Sequence, residues 1–140
     1  MRLLTVTTAA LLLFTHTGQA DTAPIDSRQV VELNKEQQAF VLDHMKSMLE
    51  TISTIQSDLA QGQAELVAQR VKALKTNEHQ NKPRGLGKSF PKGFRAMSQQ
   101  MNQHWEVLLK PTTDDKKIQQ ELHLILNQCN ACHRSYQLKR

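Results

Sequence analysis

The sequence is poor in glycine, proline and aromatic residues. Its 140 residues include five glycines and four prolines, and only 4% are aromatic. An all-β sandwich or barrel needs turn residues every ~8–12 positions, so the long stretches without glycine or proline exclude such folds. The same scarcity excludes a Rossmann-like fold and a P-loop enzyme. Several domains are excluded because the length allows one compact domain. Four such stretches remain as candidate helices: 25–61, 63–82, 94–110 and 112–140.

Long hydrophobic runs are also missing, except at the N-terminus. Met1-Arg2 precedes an apolar run at residues 3–14, and Gly18-Gln19-Ala20 follows with small residues. This order is typical of a secretory signal peptide that is cleaved before Asp21. A membrane anchor or a buried helix is the weaker alternative, because the run is too short to cross a ~30 Å hydrocarbon core. We therefore expect an exported, soluble, periplasmic protein with no membrane span.

The chain carries no strong charge of one sign. Removing Arg2 from the 18 basic residues leaves 17 against 13 acidic ones, a net charge of +4. No dense basic run with interleaved aromatics is present, so nucleic acid is not an expected partner. An acidic protein surface is the more natural partner for such a charge.

Apolar side chains recur at helical spacing in each candidate stretch. Asn34 and Gln37 form the pattern of a capping box at a helix start, and Gly62 is expected to end that helix. Residues 80–93 are rich in glycine and proline and predict a connection. The four apolar faces comprise Val41, Met45, Met48, Ile52, Ile55 and Leu59; Ala64, Val67, Val71 and Leu74; Phe94, Met97, Met101, His104 and Leu108; and Ile118, Leu122, Ile125, Cys129, Cys132 and Tyr136.

Short connections favour antiparallel neighbours, so the pattern predicts an all-α, antiparallel up-down-up-down four-helix bundle. The expected organisation is a signal peptide at 1–20, an N-terminal extension at 21–33 and a four-helix domain at 34–140.

The haem prediction rests on Cys129-Asn130-Ala131-Cys132-His133, which has the C-x-x-C-H spacing of c-type haem attachment. On a helix, positions i, i+3 and i+4 share one face, so both thiols and the imidazole address the same ligand. Each thiol can add across one vinyl group of a porphyrin, with His133 as the proximal iron ligand. One motif predicts one covalently attached haem c.

Three other interpretations of the cysteines are weaker. A thioredoxin-type redox pair needs an α/β context that this chain lacks. A disulfide requires a geometry that successive helical turns do not readily offer. A zinc site needs further Cys or His ligands at close spacing.

The chain resembles the cytochrome c-prime family, because its C-x-x-C-H motif lies near the C-terminus of an exported helical chain. Tyr136, three residues after His133, fits the aromatic that the family tends to place there, while Gln137 departs from the basic residue often found next. The family includes five-coordinate members and low-spin members in which a methionine of the first helix binds iron. The resemblance implies Met45 as the distal ligand, with Met48 as its nearest rival, and makes a homodimer plausible.

Helical rise gives separate support for Met45. We expect His133 about 6 residues, or ~9 Å, before the end of the last helix, and Met45 about 11 residues, or ~16 Å, into the first. Those depths suit opposite faces of one porphyrin. The alternative is that Met45 fills the core, as methionines on apolar helix faces usually do. His44 is expected to point away from the apolar face, and Phe94 and Tyr136 to wall the haem pocket.

The predicted function is that of a monohaem c-type cytochrome that carries single electrons and is not an enzyme, because no catalytic constellation is visible. Met/His ligation would suit a carrier. If Met45 only packs, a five-coordinate iron could bind nitric oxide or carbon monoxide instead. A helical module without haem is the third alternative. Basic residues could steer a redox partner with an acidic docking face, or could be ordinary solvated surface: Lys82, Arg84, Lys88, Lys92, Arg95, Arg134, Lys139 and Arg140.

Overall fold

The computed structural model describes residues 26–139 and shows a mostly helical chain. The predicted signal peptide at 1–20 lies outside the described residues, as do residues 21–25 and Arg140. Five α-helices occur in the described part, four of them 7 residues or longer, which confirms the all-α class. In chain order the elements are β1 (Gln29–Val31), α1 (Lys35–Ala60), α2 (Val67–Asn81), α3 (Leu86–Ser89), α4 (Lys92–Leu108), α5 (Asp115–Ser135) and β2 (Tyr136–Leu138), with a 3₁₀ turn at Ala64–Leu66 before α2.

The ends of the helices follow local sequence signals. Asn34 accepts a hydrogen bond from the Gln37 backbone, and the Gln37 side chain accepts one from the Asn34 backbone, so the predicted capping box is confirmed. Gly62 follows α1 with a positive φ of 71°, which glycine adopts without steric cost. At the start of α5 the Asp114 side chain accepts from the Lys117 backbone. These caps fix the ends of α1 and α5, the two helices that carry the predicted iron ligands.

The core joins the predicted apolar faces of the four long helices. α1 packs along α2, α4 packs along α5, and α2 also contacts α4. Trp105 of α4, which is not among the residues of the predicted apolar face, is one of the most deeply buried residues. The core cluster comprises Met48, Ile52, Ile55, Ala64, Val67, Val71, Leu74, Trp105, Leu108, Ile118, Leu122 and Ile125.

The N-terminal extension is part of the folded unit. β1 pairs in parallel with β2, with Gln29 opposite Tyr136 and Val31 opposite Leu138. The Val31 side chain is 1% exposed, so it contributes to the buried interior. The sequence analysis did not predict this pairing, because three residues are too few to show an alternating pattern.

Two details of the predicted elements are wrong. α5 ends at Ser135, and Tyr136 adopts an extended conformation in β2 rather than continuing the helical face. The predicted connection at 80–93 contains a one-turn helix, α3, whose Leu86 is 2% exposed. Burial of Leu86 explains the turn, since it anchors the connection between α2 and α4. Among the helices of residues 26–139, none has both the length and the apolar run needed to cross a bilayer.

Candidate functional site

A cavity with about 810 Å³ of empty space, part of it open to solvent, lies where α1 begins and α5 ends. Its wall is formed by α1, by the end of α2 and the connection that follows it, by α4 and by the last turns of α5. The wall is largely apolar and includes Phe90, Met97 and Met101. All five residues proposed from the sequence for haem attachment and iron ligation line it: Met45, Met48, Cys129, Cys132 and His133.

The C-x-x-C-H motif occupies the penultimate turns of α5. Cys129 and Cys132 are half-buried, and neither forms a disulfide. Burial raises the pKa of both thiols above its ordinary value, so they are protonated at neutral pH. Redox and nucleophilic cysteines need the opposite shift, because the thiolate is the reactive form. The environment therefore argues against a thioredoxin-type dithiol.

His133 lies nearer to the end of α5 than expected. It is two positions before Ser135, the last residue of the helix, so the predicted depth of about 6 residues is wrong. The reason is the change from helix to strand at Tyr136. His133 nevertheless lines the cavity together with Met45 and Met48 of α1.

A second cavity adjoins the first beside His133. It has about 900 Å³ of empty space, including its open mouth, and borders β1, β2 and the start of α1. Four residues line both cavities and therefore stand between them: Met45, Phe94, Cys132 and His133. Arg28 and Val31 at the N-terminal end of the described chain line only the second.

The aromatic residues expected at the haem pocket form a connected group. Phe90 and Phe94 stack with ring centroids 4.3 Å apart, and Phe94 meets Tyr136 edge to face at 5.4 Å. Phe94 lines both cavities, whereas Tyr136 lines the second. The Tyr136 hydroxyl also lies against Gly93, where a larger residue would collide with it. The group fixes the start of α4 against the end of α5.

His44 lines the first cavity, so the expectation that it points away is wrong. Its ring stacks on Phe40 with centroids 5.8 Å apart, and its Nε2 lies 3.9 Å from Oε2 of Glu78. Burial lowers the pKa of His44, against the opposing effect of the Glu78 charge. Phe40 and His44, four residues apart, form a second row beside the methionine face. The four-residue spacing of Phe40 and His44 was the sequence signal for this row. Because His44 lines the cavity, it is a further rival to Met45 as the proposed distal ligand.

The remaining histidines of the described chain have other surroundings. His104 on α4 lies 2.8 Å from the Glu121 carboxylate on α5, an ion pair when the ring is protonated. His123 is exposed and lies 3.1 Å from the Asn127 side chain. Within residues 26–139 there is no group of three or more His, Cys, Asp or Glu side chains that could hold a metal ion.

These residues fit a c-type haem. Such a group needs two thiols and an imidazole on one helix face, apolar walls for the porphyrin and an optional second axial ligand. The cavity supplies each of these from residues that are far apart in the sequence. Its polar lining includes His44, Glu78, Lys82, Ser98, Asn102 and Gln128, of which Gln128 directly precedes Cys129.

Basic side chains of the predicted rim lie beside the first cavity. Lys82 lines the cavity and pairs with Glu78 at 3.4 Å. Arg95 donates a 2.6 Å hydrogen bond to the Phe90 carbonyl, which ties it to the wall rather than to a partner. Arg84, Lys88 and Lys92 are exposed. The connection thus presents positive charge near the cavity.

Comparison of the chain with known protein families, with curated proteins and with solved structures finds no match.

Proposed function

We propose that this protein is a periplasmic monohaem c-type cytochrome that carries single electrons, with His133 as the proximal and Met45 as the distal iron ligand. Cys129 and Cys132 would hold the haem through two thioether bonds. The export signal at residues 1–20 supports the periplasmic location. The family resemblance supports a bundle cytochrome of the c-prime type, and no enzymatic role is proposed.

One observation carries this proposal. The attachment motif of α5 and the methionines of α1 face a single, mostly apolar cavity, although about 80 residues separate them in the sequence. An ordinary core would close around these side chains, yet Met45, Cys129 and Cys132 are only half-buried. The juxtaposition is what a covalent haem with an axial Met/His pair requires.

We propose the up-down-up-down antiparallel bundle as the arrangement of the four long helices. Two contacts between α1 and α2 support it: Asp58 pairs with Arg70, and His44 lies near Glu78. The later residue on α1 pairs with the earlier residue on α2, as antiparallel neighbours do. The contact of His104 on α4 with Glu121 on α5, and that of Phe94 on α4 with Tyr136 just after α5, run in the same sense.

Each part of the site has a distinct task in this proposal. The haem supplies reversible one-electron chemistry at its iron when bound. His133 and Met45 would bind the iron through one imidazole nitrogen and one thioether sulfur, a pair that would give a higher reduction potential than two histidines. Phe90, Phe94 and Met97 give the cavity apolar walls, which would favour the less charged state of a centre buried there. No side chain needs to exchange a proton.

The basic rim supports a redox protein with an acidic docking face as the partner. Complementary charge accelerates encounter and orients partners more than it adds affinity. Arg84, Lys88 and Lys92 are exposed, and they alternate along the chain with Leu86 and Phe90, which line the cavity. The family resemblance also supports a homodimer.

A second function is favoured by the packing of Met45, which contacts the hydrophobic core as well as the cavity. If the core holds this side chain, the iron is five-coordinate and the protein binds nitric oxide or carbon monoxide. The haem and its attachment by Cys129, Cys132 and His133 are the same in both cases.

Absorption spectra of the purified protein in both redox states test the carrier function. We expect low-spin bands with an iron–sulfur charge-transfer feature in the oxidised protein, and no spectral change when carbon monoxide is added to the reduced protein. A high-spin spectrum that responds to carbon monoxide would replace the carrier by the gas-binding function. Absence of any haem spectrum after expression in a host that attaches haem would contradict both.

A further inference from the structure

The N-terminal strap, residues 26–33, is joined to the chain that follows the haem motif. β1 pairs with β2, and the Lys139 backbone amide donates a 3.2 Å hydrogen bond to the Val31 carbonyl. The Gln137 side chain donates to the Arg28 carbonyl at 3.4 Å, and Lys139 pairs with Glu32 at 2.9 Å. These contacts hold the strap against the segment immediately after His133.

Arg28 reaches from the strap to the motif itself. Its Nη1 donates a hydrogen bond to the backbone carbonyl of His133 at 3.2 Å. Its Nε and Nη2 donate to the Asp26 carboxylate at 2.9 and 2.6 Å, which fixes the plane of the guanidinium. The Asp26 carboxylate thus orients the guanidinium of Arg28, and the remaining nitrogen of that group binds the motif at His133.

The carbonyl that Arg28 binds has no partner within the helix. The last carbonyls of an α-helix lack intrahelical donors, and the Tyr136 amide satisfies that of Cys132. The extended conformation of Tyr136–Leu138 removes the next helical donor for His133. A cation at a helix C-terminus is also favoured by the helix dipole. Arg28 therefore completes the hydrogen bonding of the turn that carries the imidazole.

The strap also forms part of the wall beside the motif. Arg28 and Val31 line the second cavity together with Cys132 and His133. Val31 is 1% exposed, so the strap is anchored by burial as well as by hydrogen bonds. The hydrogen bond of Arg28 and the burial of Val31 thus hold the strap beside the motif independently of each other.

We propose that Arg28 is a positioning residue, which fixes the His133 backbone and through it the direction of the imidazole toward the iron. This inference rests on the proposed function, in which His133 binds iron. Without the hydrogen bond the last turn of α5 frays, and the imidazole takes a range of orientations. The strap then has two roles: it orients the proposed iron ligand, and it packs against the rest of the fold.

The test compares Arg28→Gln, Arg28→Lys and Lys110→Gln in the mature holoprotein. Lys110→Gln is the matched control, because it removes the same charge at an exposed position just after α4. Two readouts are taken: hydrogen–deuterium exchange of the peptide 133–139, and the electron paramagnetic resonance spectrum of the ferric protein. The g values of that spectrum depend on how the axial ligands are oriented, so a spread of imidazole orientations broadens it.

In Arg28→Gln we expect exchange of residues 133–139 to be faster by about tenfold, because a charge-assisted hydrogen bond is lost. We also expect broadened g values. Arg28→Lys keeps one charged donor and should restore most of the narrow spectrum, and Lys110→Gln should match the unchanged protein in both readouts.

Unchanged g-value widths in Arg28→Gln overturn the inference, even if exchange is faster, since the strap would then be structural only. The intact mass of each sample keeps this outcome apart from failure of the proposed function. A chain that carries no haem refutes the function itself, whereas a loaded chain with unchanged g values refutes only the role of Arg28.

Discussion

Replacing both Cys129 and Cys132 by serine should leave the exported chain without covalently bound haem. A serine hydroxyl cannot form the thioether that each thiol makes with a vinyl group. The two thiols are half-buried, line the cavity and form no disulfide, so their replacement removes no cross-link from the fold. We expect loss of essentially all covalent haem, measured by intact mass after denaturation.

The single variants sharpen this test. Cys129→Ser and Cys132→Ser should each retain one thioether and bind haem in lower yield, because the second sulfur still faces the cavity. Asn130→Ser is the matched control, since Asn130 lies between the cysteines and is exposed. It should carry haem like the unchanged protein. Full haem attachment in the double variant would contradict the assignment of these two residues.

Replacing Met45 by alanine should convert a low-spin spectrum into a high-spin one. The thioether of Met45 is the proposed distal ligand, and alanine offers the iron no donor atom. We expect loss of the iron–sulfur charge-transfer feature, binding of carbon monoxide by the reduced protein and a lower reduction potential, because Met/His ligation raises it. Absorption spectra and potentiometry measure these changes.

Met48→Ala is the matched comparison on the same helix. Met48 lines the same cavity but is 9% exposed and belongs to the core cluster. Its replacement should cost about 2–5 kcal/mol of stability, the usual cost of a buried Met→Ala change, and leave the spectrum low-spin. The reverse result would make Met48 the ligand. If neither variant changes the spectrum, His44→Gln tests the imidazole that also lines the cavity.

Periodic features of the sequence were sufficient to predict the helices and much of the site. The predicted apolar faces of α1 and α5 are the faces that pack, because spacings of three and four residues identify one side of a helix. Periodicity put Met45 and both cysteines on apolar helix faces, whereas the pairing of Met45 with His133 came from the family resemblance and from helical rise. The structure brings these residues to one cavity. Where the chain is regular over several turns, local pattern and tertiary structure agree.

Features that depend on a few residues and on distant partners could not be predicted. β1 has three residues, and its partner β2 lies more than 100 positions later, so only tertiary contact reveals the pair. That pairing ends α5 at Ser135 and moves Tyr136 off the predicted helical face. His44 was placed wrongly because the prediction considered only the methionine face of α1. The cavity also reaches the adjacent row on that helix, which carries Phe40 and His44.

The central claim is that Cys129, Cys132 and His133 attach one haem, and the intact mass of the mature protein tests it most directly. The protein should be expressed with its predicted export signal in a host that attaches haem, then denatured and extracted with acidic solvent before mass spectrometry. The account predicts a mass that exceeds the mature chain by one haem and persists through extraction. A mass equal to the bare chain, with both thiols open to alkylation, would contradict it.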